Sequence, residues 1–321
     1  MNFLSYTHPV LSCQEAKVLE SCALVDEAAE WAAMKLAGQG IAKHLVQDYA
    51  ELRSPPEYLR ILALIGKGNN GGDALIACGQ LLADFPRARV ELILTLPAEE
   101  LRPLAARALQ QLEGRVEAHQ ISDQNDVSEI TQMLSDAAGS EGFHICIDGL
   151  LGMAFSPPLC EPIATLIEAV NTFEAIDLRA SVDLPSGKGD GVKSGAISFK
   201  ADFTIATGIA KKPIFEGMAE CGRIRYIDLG FFEAHQVEAI QARESILTSA
   251  VLDPIRCLRP ATVDKRAFGH LFIVGGSAYM PGALLMAVQA AVRSGAGLVT
   301  AFAPASVASA LAAQVPEALW I

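Results

Sequence analysis

The sequence predicts an α/β fold built on a mostly parallel sheet, and three observations carry that expectation. Short apolar runs of strand length alternate with stretches of helical periodicity between residues 61 and 230, the pattern of βαβ units. Apolar residues make up 51% of the chain and charged ones 19%, which is a globular composition and not a disordered one. Aromatic residues are only 6%; small and aliphatic side chains dominate, which lets helices pack closely on a sheet.

Taken in order, residues 13–53 read as helical, with apolar side chains at Leu24, Ala28, Trp31 and Ala32 and further ones at Met34 and Leu36. Pro55 and Pro56 close that region, because proline excludes the α conformation from the residue before it. ILALIG (61–66) reads as a buried strand and Asp73–Leu82 as a helix. VELILTL (90–96) is a second strand, followed by a helix over 98–113. FHICIDGLLG (143–152) runs from strand into turn, Pro162–Asn171 is helical, and ASVDLPSG (180–187) is again strand and turn. ADFTIAT (201–207) and GRIRYIDLG (222–230) supply two more strands. Residues 231–260 form a polar connector. Beyond it LFIVGGS (271–277), a small-residue helix (284–294) and GLVTAFA (297–303) begin a second α/β unit. The expected domains are 1–235, a linker 236–260 and a partial domain 261–321.

Charge supports the division. The net charge is −12, yet from residue 250 onward five basic side chains (Arg256, Arg259, Lys265, Arg266, Arg293) outnumber three acidic ones (Asp253, Asp264, Glu317). A nucleic-acid partner needs a basic footprint, which this acidic chain does not offer. The opening MNFLSYTHPVLS lacks a basic start and a continuous apolar stretch, so no signal peptide is expected. No apolar run of about 18 residues points to a membrane span. The seven cysteines are scattered without a CxxC pair, which suits reduced thiols in a cytoplasmic protein and argues against zinc. The histidines share no ligand spacing.

Three loops that follow strands carry the polar residues, at 66–73, 148–158 and 183–191. In parallel sheets ligands bind beyond the carboxyl ends of the strands, so these loops are expected to converge. The first is Gly66-Lys67-Gly68-Asn69-Asn70-Gly71-Gly72-Asp73. Its glycines allow close backbone approach, and the helix after it presents free N–H groups suited to phosphate. Asp73 can cap that helix or hold a ribose hydroxyl. The loop matches GxGxxG, a weak signal alone, and lacks the GK[ST] of a Walker A loop. The second loop opens on Asp148 and continues through Gly152, Met153, Ala154, Phe155, Ser156, Pro157 and Pro158. The third, Val182-Asp183-Leu184-Pro185-Ser186-Gly187, places a carboxylate where it can act as general acid or base. Asn70, Asp148 and Ser186 on one rim would form an all-oxygen cation site, suited to magnesium, calcium or an alkali ion. Lys211 and Lys212 follow a strand and can reach the same rim. Each motif also has a purely structural reading: a tight turn, an Asx turn, a solvated lysine pair.

Taken together, GKGNNGGDA, DGLLG and VDLPSG, in this order, resemble the YjeF N-terminal family of NAD(P)H-hydrate epimerases over about residues 10–235. Met34-Lys35-Leu36-Ala37-Gly38 stands where that family has a Met-x-x-Ala-Gly segment. Residues 255–321 resemble the start of the ADP-dependent NAD(P)H-hydrate dehydratases, through Lys265–Gly269, LFIVGGSAYMPGA and RSGAGLVT. The resemblance implies a Rossmann-like three-layer sandwich followed by a partial ribokinase-like domain. It implies interconversion of the R and S forms of NADHX and NADPHX, the 6-hydroxy hydrates of the reduced cofactors. Carried over by motif, Asn69, Asn70, Gly71, Gly72 and Asp73 would contact the dinucleotide, and Gly152 through Pro158 would form a second binding stretch. Asp183 would meet the hydrated ring. The chemistry of inversion, which needs a group able to move a proton, makes Asp183 the candidate acid or base and Lys212 its candidate partner. Asn70, Asp148 and Ser186 would hold potassium. A dimer through the first domain is implied, and ADP or ATP would serve the dehydratase. Two departures are Ala74 and Leu36, where the family usually has Gly and Asn. The dehydratase motifs of the later half are absent from these 321 residues, so no dehydratase activity is expected of them and the chain reads as a fragment or truncation. Two other readings compete. A dehydrogenase would need an acid at the end of the second strand, where Glu91 instead begins it. A non-catalytic binding module would not need the retained polar residues.

Overall fold

The computed structural model describes residues 6–193, 195–232, 243–256 and 258–321. His235, residues 236–242 of the expected linker and Cys257 lie outside the described residues. The chain forms two compact units, dividing between Val251 and Leu252. No helix among the described residues is long and apolar enough to cross a membrane.

The first unit opens with β1 (Thr7–Leu11), α1 (Cys13–Ala23) and α2 (Glu27–Leu52). The expected single helical region is two helices. Leu24–Asp26 interrupts it, and the Asp26 carboxylate caps α2 by accepting from the Ala29 N–H at 2.8 Å. There follow β2 (Arg60–Ile65), α3 (Asn69–Asp84), β3 (Arg89–Leu94), α4 (Pro103–Gln110), β4 (Glu117–Gln120), α5 (Val127–Ala138) and β5 (Phe143–Gly149). Then come α6 (Ile163–Thr172), β6 (Ile176–Val182), β7 (Phe203–Thr207), β8 (Ala210–Lys211), α7 (Lys212–Glu216), α8 (Met218–Cys221), β9 (Arg223–Ile227) and β10 (Ser245–Leu247).

Seven strands pair in the order β4-β3-β2-β5-β6-β7-β9, every pairing parallel. Alternate side chains serve opposite faces, as the pleat requires. Ile61, Ala63 and Ile65 pack with α2, α3 and α4, whereas Leu62 and Leu64 pack with α5 and α6. Burial on both faces explains why these strands read as unbroken apolar runs. β4 and α5 escaped the sequence reading, because Glu-Ala-His-Gln at an edge carries no apolar run. β1 lies apart from this sheet, antiparallel to β10 and parallel to β8.

The second unit is also α/β. β11 (His270–Val274), α9 (Pro281–Arg293), β12 (Leu298–Phe302), α10 (Ala305–Gln314) and β13 (Leu319–Trp320) form a parallel sheet in the order β11-β12-β13. Its core joins Leu284, Val288, Val299, Ala301, Leu311 and Val315.

The glycines of the first loop are fixed by contact. A β-carbon on Gly66 would lie 1.8 Å from the Leu150 carbonyl oxygen, and one on Gly71 would lie 2.2 Å from the Gly66 oxygen. Two strand ends and the first turn of α3 therefore meet backbone to backbone. One on Gly68 would meet nothing within 4 Å. Gly66→Ala is expected to destabilise the protein by about 3 kcal/mol, since the obstructing atom is main chain, and Gly68→Ala by no more than about 0.5 kcal/mol. Denaturant unfolding of the two variants checks the difference.

Candidate functional site

The strand order reverses between β2 and β5. At such a switch point neighbouring connections leave in opposite directions and open a crevice beyond the carboxyl ends of the strands. A cleft of about 510 Å³ lies there, lined by Lys67–Asn70 and Asp73, by Leu150–Phe155, and by Asp183 and Lys211. The helical N-terminal region adds Glu20 and Met34 to its walls. The three loops converge as expected, but the first is shorter than expected. α3 begins at Asn69, so the Asn-Asn-Gly-Gly segment is its first turn, and Gly68 is the N-cap without a side-chain bond. Asp73 therefore sits inside the helix and does not cap it.

Asp183 closes β6 with φ +67, a left-handed backbone that aspartate tolerates better than most residues. Its N–H donates to the Ile205 carbonyl at 2.8 Å. Its carboxylate is buried and paired with the ammonium of Lys211, itself buried. Lys211 Nζ also donates to the Thr207 carbonyl at 3.0 Å, and Thr207 Oγ1 lies 3.3 Å from the carboxylate. β8 positions the lysine through its pairing with β1, Leu11 opposite Lys211. The expected partner, Lys212, is not at this site. It begins α7, is half-buried, and lies 3.7 Å from Glu15. Adjacent residues of an extended chain point opposite ways, and only Lys211 faces the cleft.

Asp148 and Ser186 are fully buried and do not line the cleft. Asp148 accepts from Ser186 Oγ at 2.5 Å, Ser186 N at 2.8 Å, Ser181 Oγ at 3.0 Å and Leu150 N at 3.2 Å. Burial pushes its carboxyl up to about 6 against these neutral donors. Ser186 Oγ accepts from Leu151 N at 2.9 Å. The Asn70 amide donates to the carbonyls of Leu151 and Val182, each at 2.9 Å. The three expected cation ligands are thus connected through Leu151. A buried carboxylate with neutral partners, beside a hydroxyl and two converging carbonyls, fits a hard cation of low charge.

Gly152 is needed where it stands, because a β-carbon there would lie 2.9 Å from Asn70 Oδ1 and 3.4 Å from Asp183 Oδ2. Met153, Ala154 and Phe155 line the cleft, whereas Ser156, Pro157 and Pro158 are exposed outside it. Gly71 and Gly72 are buried, the latter against Met34. Asp73 is nearly buried, and its carboxyl is held well above the usual range by burial first and by Asp183 and Glu20 second. Glu20, on α1, was not singled out in the sequence because a glutamate in a helix reads as a solvated face. Burial first, with Asp183 and Glu30 adding and Lys211 opposing, pushes its carboxyl up to about 7. Glu91 is far from this chemistry; it bonds His119 on β4 at 2.9 Å and does not line the cleft.

The model of the family described as YjeF-related protein N-terminus matches residues 31–213. The bifunctional NAD(P)H-hydrate repair enzyme Nnr of Gloeobacter violaceus is 29% identical over 300 residues, covering 90% of this chain and 54% of that protein. The protein of the same name from Salinibacter ruber is 30% identical over 292 residues, 87% of this chain and 51% of its own length. The NAD(P)H-hydrate epimerase of Rhodopirellula baltica is 31% identical over 229 residues, 69% of this chain and 84% of that protein. The chain spans about half the length of the bifunctional relatives it matches.

Lys211→Met leaves the Asp183 carboxylate buried without its counter-charge, and should lower stability by about 3–5 kcal/mol. Lys212→Met removes only a solvated pair and should change stability by less than about 0.5 kcal/mol. Chemical denaturation at neutral pH checks both.

Proposed function

The chain belongs to the YjeF-related N-terminal family, and from that premise we propose that its first unit is an NAD(P)H-hydrate epimerase, a metabolite-repair enzyme. The observation that carries the reading is the buried Asp183–Lys211 pair in a cleft walled by the Asn69–Asp73 turn. Inverting C6 of the hydrated ring requires the hydroxyl to leave and return or the ring to open and close, and either route moves a proton at oxygen or nitrogen. Asp183 is the base of this proposal. Lys211 pairs with that carboxylate and fixes where it sits in the cleft. The dinucleotide would lie along Asn69, Asn70 and Asp73, with the free N–H groups at the start of α3 and the side chains of Lys67 and Arg102 toward its phosphates. Gly71 and Gly72 serve by letting the backbone close behind that turn. Gly152 through Phe155 would flank the ring, and Ser156 to Pro158 would lie outermost.

Asn70, Asp148 and Ser186 would hold potassium. Bound there, the ion supplies a positive charge to a buried carboxylate and ties the three loops together; the proton transfer belongs to Asp183. The second unit is proposed to belong to a dehydratase module using ADP or ATP, together with the sequence that follows in the longer relatives. A dimer through the first unit and a cytoplasmic setting complete the proposal, on the strength of the family resemblance.

Pure R-NADHX, supplied with an excess of an S-specific dehydratase and its nucleotide, should regain the absorbance of reduced nicotinamide faster when this protein is added. Asp183→Asn should slow that recovery about 100- to 10,000-fold. No acceleration by the folded wild-type protein would leave a binding module as the better account. Potassium at about 100 times its Kd should add about 2.7 kcal/mol of stability, seen as a rise in melting temperature that sodium does not match and Ser186→Ala removes. Equal melting with and without potassium would exclude the ion site.

A further inference from the structure

We propose that Glu20 is a second catalytic residue of this cleft, the acid that gives a proton to the hydroxyl leaving C6 while Asp183 serves as the base. The inference deepens the epimerase reading and rests on it. Two observations place Glu20 in this role. It lines the cleft together with Asp183, Lys211 and Asp73, and among the described residues no hydrogen bond or ion pair engages its carboxyl. The Asp183 carboxylate is already engaged by Lys211. The half-buried carboxyl of Glu20 is free to meet a ligand.

The groups around it set the division of labour. Lys17 on α1, Glu30 on α2, Asp73 on α3, Asp183 after β6 and Lys211 on β8 all face the same cleft. Three acids crowd Glu20, and the nearest buried cation is engaged by Asp183. Enclosure and like charge both favour its protonated form, which fits a carboxyl held at about 7. A carboxyl with no bonded partner and one engaged by a lysine, on the walls of one cleft, can divide the acid and base roles between them.

In the proposed step the Glu20 proton passes to the C6 hydroxyl oxygen. The C6–O bond breaks with its electron pair on that oxygen, and water leaves. The lone pair of the ring nitrogen forms the C=N bond, so no oxidant or reductant is needed. Water then adds to the opposite face of C6, its electron pair forming the new C–O bond. Asp183 takes the proton released, the C=N pair returns to nitrogen, and solvent carries that proton from Asp183 back to Glu20.

The coupled assay on R-NADHX, run with excess dehydratase from about pH 5.5 to 9, tests the assignment on wild type, Glu20→Gln and Glu20→Asp. An acid must be protonated to act, so the wild-type kcat should fall as pH rises through about 7. Glu20→Gln should lower kcat about 100-fold or more and abolish that limb. Glu20→Asp keeps a carboxyl, and should restore part of kcat together with the limb. Circular dichroism and melting should match wild type for both, since Glu20 makes no internal bond to lose. A wild-type kcat and pH profile in Glu20→Gln would overturn the assignment and leave the epimerase intact. So would a slow Glu20→Gln enzyme that keeps the limb, or a raised KM at unchanged kcat, which would mark structural or binding roles. A wild-type protein that does not accelerate recovery at all overturns both readings together.

Discussion

The rim of the sheet is organised by one buried carboxylate. Asp148 ends β5 and gathers donors from its own loop, from β6 and from the loop after β6. These segments are 33 and 38 residues away along the chain, yet the four bonds make their relative position a single geometry. Ser186 passes that order to Leu151, and Leu151 passes it to Asn70 at the start of α3. A fully desolvated acid is a costly hub unless its charge is answered. Its four bonded partners are neutral, two hydroxyls and two backbone N–H groups.

Above that hub the cleft sorts its acids by surroundings alone. Asp183 is paired with Lys211, Glu20 has no bonded partner among the described residues, and Asp73 is nearly buried within α3. The same chemical group therefore meets different surroundings within one small volume: burial pushes the Glu20 carboxyl up to about 7 and holds that of Asp73 well above the usual range. The left-handed backbone at Asp183 contributes too, because it turns the chain sharply at the end of β6 and sets the carboxylate beside Thr207 and Lys211.

Much of this was legible in the residues. Strands buried on both faces announce themselves as aliphatic runs, and the loops after β2, β5 and β6 stood out as the polar punctuation between them. What was hidden depended on contacts that spacing does not encode. The break at Leu24–Asp26 is a local capping choice within an otherwise continuous periodicity. The start of α3 at Asn69 follows from glycines that pack on neighbouring backbone, which a list of turn formers cannot distinguish from a flexible loop. Lys211 and Lys212 are equivalent until the pairing of β8 with β1 decides which one points inward. Glu20 could be seen only once α1 was placed beside the cleft; its helix is tied there by Asp190, which accepts from the N–H groups of Cys13 and Gln14, each at 3.0 Å.

That last contact has a consequence for how the molecule comes into being. Cys13 and Asp190 are 177 positions apart, and an all-parallel sheet offers no hairpins to shorten such distances. Chains dominated by non-local pairing close their loops late and fold slowly. The cleft walls are drawn from both ends of the first unit, so the cleft is complete only when those ends have met. A ligand that spans α1, the first turn of α3 and the loop after β6 thus binds only chains that have finished folding. Its presence at synthesis would draw molecules into the completed state by mass action, making the abundance of this protein respond to the supply of whatever fills the cleft.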